Sequence, residues 1–72
     1  SNPIEHYTAL GKSISFGELV AIGRSHGESV IGYRVAANSG QDGSTGVQLN
    51  PAKTEVFTPA AGDTLIVIGD LE

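Results

Sequence analysis

The side chains able to do chemistry are few. His6 and His26 are the only histidines, and they lack a repeated metal-ligand spacing; the absence of cysteine removes thiolate zinc sites and thiol nucleophiles. Ser13, Ser15 or Ser25 could pair with His26 as a nucleophile and its base. A triad also needs an orienting group and an oxyanion site on a rigid scaffold, for which 72 residues leave little room. Asn38, Asp42 and Ser44 could offer oxygen ligands to calcium, yet they supply one carboxylate and no EF-hand spacing. Gly40, Gly43 and Gly46 have the rhythm of a phosphate-cradling loop without its lysine or the helix that follows it. The reading is therefore of a protein that is not an enzyme, with no catalytic residue, no metal site and no cofactor in this domain.

The arginines are more informative. Arg34 lies mid-strand with Val30, Gly32 and Ala36 on the same expected face, so it must reach solvent, pair with a carboxylate or hold an anionic ligand. Arg24 and His26 fall at the end of a predicted helix, where a cation interacts favourably with the helix dipole. Arg24, His26 and Arg34 are thus the candidate ligand-binding residues. The four basic residues, Lys12, Arg24, Arg34 and Lys53, are dispersed in a chain of net charge −4, which argues against nucleic acid as a partner because no basic stripe can form. No apolar run approaches the roughly 18 residues of a membrane span, so direct membrane insertion by this stretch is not expected.

A chain of 72 residues lies near the lower limit for independent folding and usually needs a staple or a partner. Without cysteine the staple is not a disulfide, and a reducing compartment is permitted. The lack of any methionine suggests a piece of a longer protein, with Ser1-Asn2 resembling the remnant of a cleaved tag, residues 3–72 forming a single domain, and Leu71-Glu72 either native or vector-derived.

The elements that must position these residues are punctuated clearly. In "SISFGELVAIGRSHG", Ser15 is the expected N-cap, Glu18 completes a capping box, and Gly27 is the left-handed residue after the last turn. Phe16, Leu19, Val20 and Gly23 share one helical stripe, with Ile22 at its margin. "ESVIGYRVAA" alternates as a strand, with Ile31, Tyr33 and Val35 on the predicted core face and Val30, Gly32, Arg34 and Ala36 on the other. The loop from Asn38 to Gly46 reads as mobile and without a chemical role; "VQLNP" is a short strand ended by an Asn50-Pro51 turn, and a brief extended piece surrounds Val56-Phe57. Upstream, "HYTAL" reads as a further strand.

In "GDTLIVIGD" four consecutive apolar residues, Leu65 to Ile68, make both faces of the last strand greasy. One short helix covers one face. The predicted core is Leu19, Val20, Ile31, Tyr33, Val35, Leu49, Leu65, Ile66, Val67 and Ile68, counting burial by a partner subunit. The uncovered face is expected to pair with a second copy of the chain, with Val30, Gly32, Arg34, Leu65 and Val67 as the candidate dimer interface.

The order helix, "GESVIGYRVA", loop, "GVQLNPAKTEVF" and "PAAGDTLIVIGD" resembles the C-terminal regulatory domain of potassium-conductance regulators, the TrkA-C family, over roughly Phe16 to Asp70. More narrowly, "IGYR" followed by "LNPAK" is similar to the C-terminal segment of Castor and Pollux type ion channels and their bacterial relatives. The resemblance implies a small two-layer α+β domain, one short helix packed on a mostly antiparallel sheet, which self-associates as a homodimer or higher oligomer. It further implies adjacent RCK and pore domains, a position on the cytoplasmic face of a membrane protein, and a regulatory role in a cation channel, with potassium the implied ion, or a transporter, coupling ligand binding or assembly to gating. An effector of nucleotide or ion type is compatible with that role. The alternative is a purely structural oligomerisation module without ligand.

Overall fold

The computed structural model describes residues 1–38 and 46–69. Asn2–Pro3 forms β1, Ile14–Ser15 β2, Phe16–Ser25 the helix α1, Ser29–Arg34 β3, Val47–Leu49 β4, Val56–Phe57 β5 and Thr64–Ile68 β6. The main sheet has the antiparallel order β1-β6-β3-β4, and β2 with β5 makes a second, two-stranded antiparallel sheet. The chain is thus a small two-layer α+β domain, with one helix packed on an antiparallel sheet.

Local chemistry sets both ends of α1. The Ser15 hydroxyl accepts the Glu18 N–H at 3.1 Å while the Glu18 carboxylate accepts the Ser15 N–H at 2.9 Å, which completes the capping box. The Ser15 hydroxyl also donates to Glu18 Oε1 at 3.0 Å, and the donation from the Ser15 N–H, then that from its hydroxyl, lowers the Glu18 carboxyl below its ordinary pKa. Two of the next free donors, the N–H groups of Phe16 and Gly17, reach the carbonyls of Glu55 at 2.8 Å and Lys53 at 2.9 Å, tying the helix start to the segment before β5. At the other end Gly27 takes φ +76°, and the N–H groups of Glu28 and Gly27 donate to the carbonyls of Gly23 and Arg24, a Schellman turn that reverses the chain into β3.

The core lies between α1 and the main sheet. Ile4, Leu19 and Leu65 are fully enclosed, with Phe16, Tyr33, Val30 and Ile14 around them and Phe57 and Val67 packed against the cluster. Tyr33 stacks on Phe57 with ring centroids 4.1 Å apart and meets Phe16 at 6.2 Å, so the aromatic rings join the two sheets.

Three expectations are corrected. The segment at "HYTAL" is not a strand: Ile4–His6 is a 3-10 turn, and β1 lies before it. Asn2, expected to lie outside the fold, pairs with Leu65. The strict alternation drawn through β3 fails, because the register against β6 slips between Val30 and Gly32, leaving Ile31 as an extra residue whose carbonyl accepts the Asn50 N–H at 2.8 Å. That bulge brings Val30 onto the helix side together with Tyr33, although they are three positions apart. Leu49 and Ile68, expected to be buried once a partner subunit is counted, are 61% and 52% exposed in the single chain, which leaves that expectation open.

Asp63 is the only buried charged side chain among the described residues. Its two carboxylate oxygens accept the N–H groups of Ala36 and Ala60, each at 2.9 Å, and its backbone carbonyl accepts the Ile4 N–H. One residue read in the sequence only as part of a Gly-Asp turn therefore fastens the end of β3, the turn before β6 and the start of the chain.

Candidate functional site

Two surfaces stand out once the register is followed. The first is the face of the main sheet away from α1. Cα partners in an antiparallel pair point the same way, and the pairs Gly32↔Leu49, Gly32↔Ile66, Arg34↔Val47, Arg34↔Thr64 and Ser29↔Ile68 therefore place Leu49, Ile66, Ile68 and Val47 on this outer face, with Arg34 at one end. No helix of the described residues covers it. A Cβ on Gly32 would stand 3.1 Å from Leu49 Cδ2 and 2.2 Å from the Gln48 carbonyl oxygen, so the Leu49 side chain lies directly over bare backbone and flattens the surface.

The second is a hollow of about 420 Å³ at the C-terminal end of α1, lined by Val20, Arg24, Gly27, Glu28, Ser29 and Val30. The Schellman turn creates it by bringing Glu28 back beside the last turn of the helix. Glu28 is held from one side: Asn2 Nδ2 donates to the Tyr7 hydroxyl at 2.8 Å, and that hydroxyl donates to Glu28 Oε1 at 2.7 Å. Burial, and then the bond to the Glu28 carboxylate, raise the Tyr7 pKa above its ordinary value. The His26 ring lies against Tyr7, centroids 5.1 Å apart.

The expected site residues are divided between these surfaces. Arg24 lines the hollow, and His26 stands beside it on Tyr7, while Arg34 belongs to the outer face, where it is half-buried and engaged by a neighbour. The structure therefore brings Arg24 and His26 to one region and separates Arg34 from them. Of the expected interface residues, Gly32 and Arg34 face outward, whereas Val30 and Leu65 are buried under α1 with Val67 against them. A second Tyr–Glu pair, the Tyr33 hydroxyl donating to Glu55 Oε2 at 2.5 Å, closes the aromatic stack; burial, then the Glu55 carboxylate, pushes the Tyr33 pKa up to about 12.

Asn2, Tyr7 and Glu28 escaped the sequence reading. Tyr7 and Glu28 are 21 positions apart, so no local spacing joins them. Glu28 could have been placed near Arg24 from the helix-ending Gly27 alone, since a Schellman turn returns the following residue toward the last turn. Among the described residues, no three His, Cys, Asp or Glu side chains are grouped to hold a metal ion. The loop glycines and the Asp42 and Ser44 oxygens lie outside the described residues, apart from Gly46 and Asn38 at its ends. No helix among the described residues is long and apolar enough to cross a membrane. Compared with models of protein families, the chain matches none, and no curated protein is similar to it.

Proposed function

We propose that this domain is a cytosolic regulatory and dimerisation module of a cation channel or transporter, most simply one for potassium, and that it couples its own assembly to gating. The observation that carries the reading is the outer sheet face, where Leu49 and Ile68 are exposed beside the half-buried Ile66 and the flat backbone at Gly32. Contiguous apolar surface of this kind is a site of association. A second copy is the simplest occupant, because a two-fold axis lets one patch serve both subunits. The assignment to ion transport is supported by the ordered resemblance of "IGYR", "LNPAK" and "GDTLIVIGD" to the TrkA-C family, segments that here form β3, the end of β4 and β6.

Sedimentation of the 72-residue chain at micromolar concentration tests the dimer. The parent sequence should form a two-fold dimer, and Ile68→Glu should return it to monomer by burying an unpaired charge at the contact. A monomeric parent chain would overturn the reading. In the full-length protein the same substitution should change potassium flux through reconstituted vesicles. Unchanged flux from a dissociated domain would favour the purely structural module.

A further inference from the structure

The hollow at the end of α1 holds two opposite charges that do not neutralise each other. No ion pair or hydrogen bond among the described residues engages the Arg24 guanidinium. Glu28 spends Oε1 on the Tyr7 hydroxyl and leaves Oε2 directed to no partner among those residues. The apolar part of the lining is the half-buried Val20 and the accessible edge of the buried Val30.

We propose that this hollow binds a small zwitterion of the aliphatic α-amino-acid class. The ligand carboxylate sits on the Arg24 guanidinium, its ammonium on the free oxygen of Glu28, and its side chain on Val20 and Val30. A simple anion would meet Arg24 but be repelled by Glu28, and a simple cation would meet the reverse. A molecule carrying both charges a few bonds apart satisfies both walls. The backbone donors of Gly27 and Glu28 are already committed to the Schellman turn, so the guanidinium is the anion-binding group, with its planar fork suited to a carboxylate. The volume of about 420 Å³ lies within the range of small-molecule sites, which begins at roughly 300 Å³. Tyr7 is a positioning residue here: its hydroxyl, fixed by Asn2, holds Glu28 at the rim.

This inference does not depend on self-association: of the residues lining the hollow, only Ser29, the cross-strand partner of Ile68, also belongs to the outer face. Titration of the isotope-labelled 72-residue chain with L-leucine, followed by amide resonances, is the test. Shifts should cluster at residues 24–30 with a dissociation constant on the order of 1 mM. The same analogue without its ammonium, 4-methylpentanoate, and the one without its carboxylate, 3-methylbutylamine, should each bind at least about tenfold more weakly, the loss of one charge-assisted hydrogen bond. Arg24→Gln and Glu28→Gln should each remove the response to leucine while the rest of the spectrum is retained; Arg24 is exposed, so its replacement does not threaten folding. Running the titration on Leu49→Glu, an outer-face substitution opposite Gly32 and away from Ser29, should give the same affinity, which separates failure here from failure of the dimer. Absence of shifts at residues 24–30, or 4-methylpentanoate binding as tightly as leucine, would overturn the proposal.

Discussion

The two faces of the main sheet are built from the same strand, β6, and the same residue types, yet they have opposite fates. Leu65 and Val67 point toward α1, Leu65 enclosed with Ile4, Leu19 and Phe16 and Val67 half-buried against them; Ile66 and Ile68, one residue along in each case, point away, the first half-buried and the second exposed. What separates them is not hydrophobicity but the supply of covering elements. The helix, the 3-10 turn at Ile4–His6 and the β2–β5 sheet all gather on one side. Apolar surface stabilises the fold by about 25 cal/mol per Å² only where something removes it from water. On the outer face the described residues make that contribution only in part, and the rest is available to a partner.

The largest expected effect breaks or confirms that contrast directly. Leu65→Ala should cost about 2 to 5 kcal/mol in urea unfolding, because it opens a cavity at a fully enclosed position of the core. Ile68→Ala, measured under conditions where the chain is monomeric, should stay within about 0.5 kcal/mol of the parent. Equal losses at the two positions would mean that the outer face is covered by the chain itself.

Asp63→Ala should come next. It strands the N–H groups of Ala36, half-buried, and Ala60, exposed, so the loss should be about 1 to 3 kcal/mol and come chiefly from Ala36, because water can reach Ala60. A loss below that range in thermal or urea unfolding would mean that water replaces the carboxylate, and that the turn before β6 is held by Pro59 and the backbone alone.

Glycines on opposite faces sharpen the comparison further. On the outer side, a Cβ at Gly32 meets the Gln48 carbonyl of the neighbouring strand at 2.2 Å, so Gly32→Ala should force β3 and β4 apart and cost about 1 to 3 kcal/mol. On the inner side, a Cβ at Gly23 meets Val30 Cγ2 at 2.3 Å, a side chain that must shift, and α1 gains about 1 kcal/mol of helix propensity in return. Gly23→Ala should therefore be the milder of the two; the reverse order in denaturant midpoints would show that the helix–sheet contact is the tighter one.

The smallest expected effect is a pH dependence. Tyr33 ionises near 10 when unfolded and at about 12 when folded, so between those values the folded state binds more protons and stability falls as pH rises. Its contribution is complete below pH 10 and lost on passing about pH 12. Tyr7, raised in the same direction, adds to that slope. Tyr33→Phe should flatten the decline in melting temperature over this window without abolishing it, and an unchanged slope would show that the phenol is not protected by burial and Glu55.

Ser15, Glu18 and Gly27 fixed both ends of α1 from the sequence alone, and Asn50, with φ +49°, took the turn predicted after β4. β3, β4, β5 and β6 also fell within the stretches that the Gly, Asn and Pro punctuation marked out, although β3 ends at Arg34, short of Ala37, and breaks its alternation at the bulge. Each of these features rests on atoms within a few positions of one another, so residue type and spacing are enough. What required the tertiary structure was everything set by partners distant in the chain. The bulge at Ile31 exists only against β6 and moved Val30 indoors; β1 and β2 are two-residue strands that exist only by pairing with β6 and β5; Ile4 became a core residue because Asp63 and β6 hold it there. The meeting of Tyr7 with Glu28, and the bareness of Leu49 and Ile68, were settled in the same way. A strand of four consecutive apolar residues states that both of its faces are greasy, but which of them is covered depends on where the connections run, and that is decided only when distant segments compete for the same surface.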